Sequence, residues 1–368
     1  MEITNKQKEL FSSLLIDWHS VDNKRSLPWK NEKDPYRIWL SEILLQQTRA
    51  LQALSYYLNF IDAYPTISDL ANAQDDDVFR LWQGLGYYNR CKNMLQTARY
   101  IANELNGNFP NTYIDLLLLK GIGPYTAAAI ASFAYNLPHA VVDGNVYRVL
   151  ARYFGIDIPI DTGEGKKLFA DLANGLLNKE NPANYNQAIM DLGATVCLPA
   201  NAQCTACFLV NNCIASKQDS ISLLPVKSKK TKVRTRFFHY ILFVKEEKIW
   251  IQKRTEKDIW QNLHEPYLIE HNQPLSLTEL QIQETFKTIN IPAEELNYLG
   301  ASKQKLSHQI IEARFFLAKI NKEKSINLIN GSWLTQSEQK KIAFPKTVFS
   351  FLQNNFILLF FLIVNCLI

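Results

Sequence analysis

The chain has 368 residues, enough for two domains of ordinary size that each bury a core of their own. Hydrophobic residues make up 47% and charged residues 20%, a composition typical of a soluble protein. The net charge of +5 is too mild to indicate a nucleic-acid partner by itself. Residues 1–215 carry 18 basic and 21 acidic side chains, whereas residues 216–368 carry 22 and 14. Any DNA-binding surface of the first part must therefore be a local patch.

The first 215 residues show the pattern of a helical domain. Asp34 followed by Pro35 is a typical helix start, with a capping residue before a proline at the first helical position. Short connections rich in Pro, Gly, Asn and Asp separate the helical segments. The predicted helices span residues 6–20, 35–47, 50–63, 75–83, 88–105, 112–119, 124–134, 145–154, 164–177 and 183–194.

Two carboxylates in this helical part stand in contrasting surroundings. Glu42 is the only charge in the apolar helical segment 38–45, so poor solvation should raise its pKa and favour the protonated form. Asp143 precedes helix 145–154, where the helix dipole and free N–H groups favour the ionised form. Glycosidic bond cleavage needs one group of each kind, an acid at the leaving group and an anion facing the sugar. Taken singly, Glu42 is equally explained as a rim residue and Asp143 as a helix cap.

A glycine-containing hairpin lies between two predicted helices at residues 119–124. Gly121 and Gly123 permit a tight turn and a close approach of another backbone. The helix that follows offers free N–H groups and the positive end of its dipole, which together bind phosphate. This is the helix–hairpin–helix pattern, which contacts the DNA backbone without reading its sequence. Without other motifs, a plain turn explains the same residues.

Four of the six cysteines form one cluster, Cys197-x6-Cys204-x2-Cys207-x5-Cys213. Four thiolates this close in sequence can surround one metal centre. A single CxxC is not the repeated pair of a zinc ribbon, and four thiolates also hold iron–sulfur clusters, so the spacing leaves both open. The polar start of the chain is not a secretory signal, and we expect a reducing, cytoplasmic environment rather than disulfides.

The pattern changes after a basic segment, residues 216–236, which is predicted to be an interdomain linker. Six basic residues lie within ten positions there, as in a solvated linker or one that also touches phosphate. Alternating apolar residues then predict strands at 237–245, 248–253 and 310–320, with helices near 276–288 and 335–342. Residues 237–355 are therefore predicted to be an α+β domain. The basic residues are Lys227, Lys229, Lys230, Lys232, Arg234 and Arg236.

Residues 356–368 form a hydrophobic tail whose role is open. Its thirteen residues are too few for a helix across a bilayer, which needs about 20. A buried terminal segment and a membrane-associating tail are both compatible with the composition.

Together, these motifs resemble the MutY adenine DNA glycosylases of the helix–hairpin–helix superfamily, which includes endonuclease III. The resemblance implies a helical glycosylase domain with an iron–sulfur loop, followed by a Nudix-like domain. It also implies a monomer, with no obligate protein partner, that acts on double-stranded DNA in which adenine lies opposite 8-oxoguanine or guanine. The matching segments are Arg25–Trp29, Ser41–Thr48, Gly84–Tyr88, Gly121–Ala127, Val142–Asn145 and the four-cysteine loop.

The resemblance also implies roles for single residues. Glu42 corresponds to the general acid that protonates adenine N7, and Asp143 to the carboxylate that stabilises the sugar cation. The four cysteines would hold a [4Fe-4S] cluster, and the target base would be flipped out of the stack. Other implied active-site residues are Tyr125 and Asn145, with Arg25, Trp29 and Gln187 lining the adenine pocket. The implied DNA contacts are Gln47, Thr48, Tyr87, Gly121 and Gly123.

Tyr125 distinguishes this chain from a related class of enzyme. Bifunctional glycosylases carry at this position a lysine whose amine attacks the sugar and leads to strand cleavage. Tyrosine here predicts a monofunctional enzyme that leaves an abasic site. A bifunctional glycosylase and lyase is the first alternative, and a catalytically silent DNA-binding scaffold is the second.

The second domain resembles the Nudix-like domain that this family uses to recognise oxidised guanine. Ser307 and His308 match a short recognition loop, although Leu306 stands where the family usually has phenylalanine. The acidic metal-binding helix of catalytic Nudix enzymes is absent from the sequence. A nucleotide diphosphatase, the third alternative, would therefore lack its metal ligands.

Overall fold

The computed structural model describes residues 4–23, 25–228, 233–281, 296–320 and 330–355. The chain divides into two compact units, Met1–Asn72 with Asn93–Lys230 and Ala73–Lys92 with Thr231–Ile368. The change of unit near residue 231 falls within the segment 216–236 that was predicted to be a linker. Residues 73–92 group with the second unit, which the sequence did not indicate, because their helical periodicity is like that of their neighbours.

Helices build the first unit, and polar caps fix where several of them begin. Asp34, Asp143 and Thr162 each accept a hydrogen bond from a backbone N–H group of the first turn. The helices of this unit are α1 (Asn5–Val21), α2 (Pro35–Leu45), α3 (Ala50–Ala63), α4 (Ile67–Asn72), α6 (Asn89–Glu104, whose first residues belong to the second unit), α7 (Tyr113–Leu118), α8 (Pro124–Tyr135), α9 (Gly144–Phe154), α10 (Gly163–Leu176), α11 (Pro182–Thr195) and α12 (Ile214–Lys217).

Helix α9 lies at the centre of the core of this unit. Its Val149 and Leu150 are buried together with Phe11 of α1, Phe169 of α10 and Tyr185 of α11. Side chains of this size each stabilise the fold by roughly 1.5–3 kcal/mol when removed from water. The core therefore holds α9 firmly, together with the carboxylate at its N-terminus.

A mixed sheet forms the second unit. Its strands follow the order β3-β2-β1-β6-β5, with β4 also paired to β1 and β7 to β2. Strands β1 and β6 are parallel, and the other pairs are antiparallel. The strands are β1 (Arg234–Lys245), β2 (Lys248–Lys253), β3 (His264–Glu265), β4 (Tyr267–His271), β5 (Leu296–Lys305), β6 (Gln309–Lys319) and β7 (Gly331–Leu334).

Short helices accompany the sheet, and one packs on it through an aromatic stack. Phe351 lies 3.7 Å, centroid to centroid, from Phe315 of β6, with nearly parallel rings. These helices are α5 (Asp75–Trp82), α13 (Leu277–Gln281), α14 (Gln336–Gln339) and α15 (Lys346–Asn354). The three predicted strands are present as β1, β2 and β6, whereas β3, β4, β5, β7 and α15 were not predicted.

Two predictions extend beyond what the structure describes. The helix expected near 276–288 is present as Leu277–Gln281, and its remaining residues lie outside the described ranges. The hydrophobic tail 356–368 also lies outside them. Within the part of the chain that is described, no helix has both the length and the apolar character needed to cross a membrane.

Candidate active site and nucleic-acid interface

Glu42 is a buried acid, and one oxygen of its carboxyl group has no hydrogen-bond partner among the described residues. It lies in α2, where Arg37 is the only residue between Tyr36 and Leu44 that is not buried, and it is 4% exposed. Burial raises the pKa of Glu42 to about 7, the nearby charge of Asp143 acts in the same direction, and a hydrogen bond from Tyr125 opposes both. Among the described residues, none hydrogen-bonds to its Oε2. Near neutral pH this carboxyl is therefore present in both its protonated and its ionised form. A general acid requires a pKa in this range.

Asp143 caps α9 and is held by three donors. Its Oδ1 accepts hydrogen bonds from the backbone N–H groups of Asn145 at 2.9 Å and Val146 at 2.8 Å. Its Oδ2 accepts one from the Asn145 side chain at 2.7 Å. Burial nevertheless raises the pKa of Asp143, and these hydrogen bonds and the charge of Arg148 only partly oppose the rise. The sequence-based expectation of a pKa set by the helix cap was therefore wrong in direction, because desolvation outweighs the cap.

Tyr125, at the start of α8, lies near both carboxyl groups. Its hydroxyl forms a hydrogen bond with Glu42, and the charges of Glu42 and Asp143 both act on it. Burial, followed by these charges, raises the pKa of Tyr125 well above its ordinary value, so the phenol stays protonated. The structure thus brings together Glu42, Tyr125 and Asp143, three of the four residues predicted to be catalytic. Asn145, the fourth, fixes the Asp143 carboxylate.

A cavity of about 270 Å³ opens at Glu42. Its walls include Trp29 and Gln187, both predicted to line an adenine pocket. Arg25 was predicted there too, but it is not among the lining residues. The other lining residues are His19, Asn31, Glu32, Lys33, Ile38, Ser41, Phe133, Asn181, Ala183 and Asn184. A flat aromatic ring, several amides and a buried acid in one cavity suit a planar heterocycle with hydrogen-bonding edges.

Arg25 instead forms part of a buried ion cluster beside the cavity. Asp191 of α11 is 0% exposed and lies 2.7 Å from both Arg25 Nη1 and Lys30 Nζ. Asn23 Nδ2 donates a third hydrogen bond to it at 2.7 Å. Although burial acts to raise the pKa of Asp191, the hydrogen bonds from these three residues hold it below the ordinary value. The cluster fixes the chain segment that leads from α1 to Trp29.

The predicted hairpin is present between α7 and α8, and two glycines have different roles in it. Gly121 has a φ of +78°, and a Cβ there would lie 2.9 Å from the Cβ of Asn93 in α6. Thr97 of α6 also donates a hydrogen bond to the Lys120 carbonyl at 2.7 Å. A Cβ on Gly123, by contrast, would meet nothing within 4 Å. The inner side of the hairpin is thus packed on α6, and the N-terminus of α8 remains open to a phosphate.

Two predicted DNA contacts, Gln47 and Thr48, follow the last turn of α2. Gln47 is exposed and has a φ of +56°, in the left-handed region that few residues other than glycine adopt. The Thr48 hydroxyl donates a hydrogen bond to the Gln46 carbonyl at 3.3 Å. This turn therefore presents Gln47 to the solvent at the end of the helix that carries Glu42.

Within the second unit, the structure brings together Tyr87 and Ser307, which are 220 residues apart in sequence. The hydroxyl groups of the two side chains form a hydrogen bond. Tyr87 also has a positive φ, +51°, and its side chain is 41% exposed. Ser307 and His308 are exposed in the tight turn between β5 and β6, which is closed by a hydrogen bond from Leu306 N to Gln309 O at 2.8 Å. Ser307 and His308, which were predicted to recognise oxidised guanine, thus share one exposed patch with Tyr87.

The four clustered cysteines surround one cavity in the first unit, which is otherwise lined mainly by apolar residues such as Val149 and Leu209. Burial raises the pKa of Cys207 to about 11, and the negative charges of the other three cysteines add to the rise. Within the described ranges, no three Cys, His, Asp or Glu side chains converge closely enough for a single metal ion. Four thiols that line one cavity are nevertheless a donor set that suits a metal centre held by four thiolates. The residues are Cys197, Cys204, Cys207 and Cys213.

Two buried arginines connect this cysteine loop with α9. Arg152 Nη1 lies 3.4 Å from Cys197 Sγ, and Arg148 Nε donates a hydrogen bond to the Cys197 carbonyl at 2.7 Å. Arg148 Nη2 also donates to Asn145 Oδ1 at 2.8 Å. A continuous chain of hydrogen bonds therefore runs from Cys197 through Arg148 and Asn145 to the Asp143 carboxylate.

Comparison with known proteins identifies the family. Residues 40–173 match the model of the HhH-GPD superfamily base excision DNA repair proteins, and residues 239–354 match that of the NUDIX domain. The chain is 33% identical over 343 residues to an adenine DNA glycosylase of Buchnera aphidicola subsp. Baizongia pistaciae, a match covering 92% of this chain and 95% of that protein. This chain belongs to the adenine DNA glycosylase family.

Further relatives agree with this assignment. An adenine DNA glycosylase of Buchnera aphidicola subsp. Schizaphis graminum is 37% identical over 69% of this chain and 73% of its own length. Among solved structures, a thermostable thymine-DNA glycosylase is 29% identical with a TM-score of 0.54, and the match covers 59% of this chain and all of the other. The predicted order of a helix–hairpin–helix domain followed by an α+β Nudix-like domain is confirmed for this adenine DNA glycosylase.

Several cavity residues of this adenine DNA glycosylase were missed by the sequence reasoning. His19 lies in the last turn of α1, and Asn181 and Asn184 lie at the start of α11. Arg148, which holds Asn145, was missed as well. No local pattern marks these residues, because they reach the site only when helices distant in sequence pack together.

Proposed function

We propose that this adenine DNA glycosylase hydrolyses the N-glycosidic bond of adenine mispaired with 8-oxoguanine or guanine in double-stranded DNA, acting as a monomer. The observation that carries the proposal is the placement of Glu42. This acid, with a pKa of about 7, lies in a cavity suited to a purine, within hydrogen-bonding reach of Tyr125 and close to Asp143. The product is free adenine and an abasic site.

Protonation of the base starts the proposed reaction. Glu42 in its protonated form donates its proton to N7 of the flipped adenine, which makes the base a better leaving group. The bond between C1′ and N9 then breaks, and its electron pair stays with adenine. Positive charge develops on the sugar, where the ionised Asp143, fixed by Asn145 and the N-terminus of α9, stabilises it. Water attacks C1′, and the Glu42 carboxylate accepts the proton that this water loses.

Tyr125 supports a monofunctional reaction. A lyase forms a Schiff base between an amine and C1′, and the residue at this point of the site is a phenol with a raised pKa. A neutral phenol donates a hydrogen bond to Glu42 but cannot form an imine. The step that follows base loss is therefore hydrolysis, with the DNA strand left intact.

The proposed DNA contacts divide between backbone and bases. The open N-terminus of α8, beside Gly121 and Gly123, suits a backbone phosphate. Gln47, which precedes Thr48 in the first unit, and Tyr87 in the second unit are exposed residues suited to insertion into the duplex near the mispair. Ser307 and His308 supply hydrogen-bonding groups for oxidised guanine, which differs from guanine at its N7 and C8 edge. Chemistry and mispair recognition thus belong to different units.

The four cysteines would hold a [4Fe-4S] cluster. Burial raises the pKa of Cys207 and of Cys213, and a cationic group bound by the four cysteines would favour the thiolate forms that act as ligands. The cluster would supply that charge and tie the loop from Cys197 to Cys213 into one unit. Purified protein should then be yellow-brown and contain about four irons per chain. One zinc and no iron in anaerobically prepared protein would show that the assignment is wrong.

The central experiment uses duplexes that differ at one base pair. Duplexes with adenine opposite 8-oxoguanine or opposite guanine are incubated with excess enzyme and then treated with alkali, which cleaves abasic sites. Strand breaks are expected at adenine only after alkali, and a duplex with adenine opposite thymine serves as the control. Equal cleavage of the control would refute mispair specificity. Breaks before alkali, together with a borohydride-trapped adduct, would instead support the lyase alternative.

A further inference from the structure

His19 is a cavity residue that the proposed reaction does not use. It lies in the last turn of α1 and lines the same cavity as Glu42, Trp29 and Gln187. None of the sequence motifs includes it. The ring has two nitrogens, and which of them carries the proton decides what His19 can offer to a bound base.

The surroundings of Asn23 fix one of these nitrogens. Asn23 Oδ1 accepts a hydrogen bond from the backbone N–H of Arg25 at 3.1 Å. Its amide nitrogen lies 2.7 Å from Asp191 Oδ2, which can only accept, and 2.8 Å from His19 Nδ1. Two independent contacts therefore orient the Asn23 amide, and its N–H group points to the histidine. His19 Nδ1 must accept this hydrogen bond and carries no proton.

A neutral ring with an unprotonated Nδ1 has its proton on Nε2. Burial lowers the pKa of His19, and the charge of Lys30 acts in the same direction against the opposing charge of Asp191. Among the residues that the structure describes, none accepts a hydrogen bond from Nε2. His19, which lines the cavity, thus carries one N–H donor on Nε2, and the chain Asp191–Asn23–His19 fixes this tautomer.

We propose that His19 is a specificity-determining residue whose Nε2–H donates a hydrogen bond to a ring nitrogen of the flipped adenine. This inference rests on the proposed function. Because Glu42 donates its proton to N7, the acceptors that remain on adenine are N1 and N3 of the six-membered ring. In this arrangement the ion cluster around Asp191 orients the Asn23 amide, and this amide fixes the tautomer of His19.

The test compares adenine with analogues that lack a single acceptor. Duplexes carry adenine, 1-deazaadenine or 3-deazaadenine opposite 8-oxoguanine, and single-turnover rates are measured at saturating enzyme. For each base, the rate of His19→Phe is divided by that of the wild type, so that the intrinsic reactivity of the base cancels. His19→Phe should lower the rate on adenine by about 5- to 150-fold. The loss should disappear for the one analogue that lacks the acceptor used, and persist for the other.

Two further variants separate hydrogen bonding from packing. His19→Gln retains an N–H donor and should retain more activity on adenine than His19→Phe does. His139→Phe is the matched control, because His139 is a partly buried histidine that stacks on Tyr113 at 4.4 Å and does not line the cavity. An equal loss on all three bases, or no loss on adenine, would overturn the inference. If the wild type did not excise adenine at all, the proposed function itself would be refuted.

A measurement on the wild type tests the tautomer directly, and it needs a variant only to assign one signal. The ¹⁵N chemical shifts of histidine-labelled protein distinguish the two neutral tautomers. His19, assigned by the signal lost in His19→Gln, should show a protonated Nε2 and an unprotonated Nδ1 at neutral pH. The opposite tautomer would refute the inference.

Discussion

Glu42 and Asp191 are two buried acids of the helical unit, and their surroundings are opposite. Glu42 is 4% exposed, and none of the described residues hydrogen-bonds to its Oε2. Asp191 is 0% exposed, and two cations and an amide surround it at 2.7 Å. The pKa of Glu42 is raised to about 7, whereas that of Asp191 is lowered. Burial alone therefore does not decide the protonation of a carboxyl group, and the donors that accompany it do.

The two acids serve different ends for this reason. A fully paired carboxylate is ionised at every physiological pH and stabilises the fold around it. A carboxyl that lacks donors can exchange a proton near neutral pH, but its charged form destabilises the folded protein. Catalysis thus requires a buried acid that lacks hydrogen-bond donors, whereas stability requires one that is fully paired. Variants of Glu42 and Asp191 test this contrast.

The largest effect is expected for Glu42→Gln. The amide is nearly isosteric but has no proton to give, so the single-turnover rate on adenine opposite 8-oxoguanine should fall by about 10²- to 10⁴-fold. DNA affinity should change little. Glu164→Gln is the matched control, because Glu164 lies exposed in the first turn of α10. A Glu42→Gln rate above a tenth of the wild-type value would contradict the assignment of the acid.

Asp191→Asn should mainly reduce stability. Removing one member of a buried ion cluster leaves Arg25 and Lys30 uncompensated and typically costs about 3–5 kcal/mol. Because the pKa of Asp191 is lowered, its contribution is present above the ordinary value of 3.8 and is lost as the pH falls below it. Thermal unfolding of the variant should therefore differ strongly from the wild type at pH 7 and less in acid. The control is Asp171→Asn on the exposed face of α10, for which no change is expected.

Glu42→Gln should have the opposite effect on stability. A raised pKa means that the folded protein holds a proton which the unfolded chain releases above about pH 4.5. The wild type therefore loses stability as the pH rises through about 7, on the order of 3 kcal/mol in full, and the glutamine does not titrate. The melting temperature of Glu42→Gln should exceed that of the wild type by several degrees at pH 8 and be nearly equal at pH 4.5. A difference independent of pH would show that folding does not raise the pKa of Glu42.

The smallest effect is expected where polar groups are exposed rather than buried. Replacing Ser307 and His308 by alanine should reduce the preference for 8-oxoguanine over guanine opposite adenine by about 5- to 150-fold, or 1–3 kcal/mol. The bond-breaking rate on fully bound substrate should change less than this ratio. Single-turnover rates on both duplexes, at several enzyme concentrations and one salt concentration, provide the comparison. An unchanged ratio would leave the two residues as an ordinary turn.

Local patterns predicted much of the helical unit. Helix α9 could be placed because Asp143 is a typical cap and the apolar residues that follow recur at helical spacing. Strand β5 was missed because its residues Leu296–Lys305 are largely polar and a bulge interrupts the register between Tyr298 and Gly300. Helix α15 was not predicted, although Asn354 and Asn355 separate its apolar residues in sequence from the hydrophobic tail.

Active-site residues could be predicted from the sequence only where they lie in recognisable motifs. Glu42, Tyr125 and Asp143 each lie in a recognisable segment, so their roles could be suggested before their proximity was seen. The pairing of Arg25 with Asp191 spans 166 residues, and it directs Arg25 away from the cavity where we had expected it. The direction of the Asp143 pKa depended on how much water the folded chain removes, which no local pattern measures.

The backbone at Gln47 and Tyr87 has a consequence for how the protein could be stabilised. Both residues have φ values near +55°, a conformation that disfavours any residue with a Cβ by roughly 1–2 kcal/mol relative to glycine. Glycine at either position would relieve this strain, which acts to raise the melting temperature, but at position 87 it would also remove the hydrogen bond to Ser307. It would also delete the exposed side chain that we place against the duplex. Selection for thermal stability alone would therefore favour glycine at both positions. The resulting protein would lose the two side chains that we propose to contact the DNA.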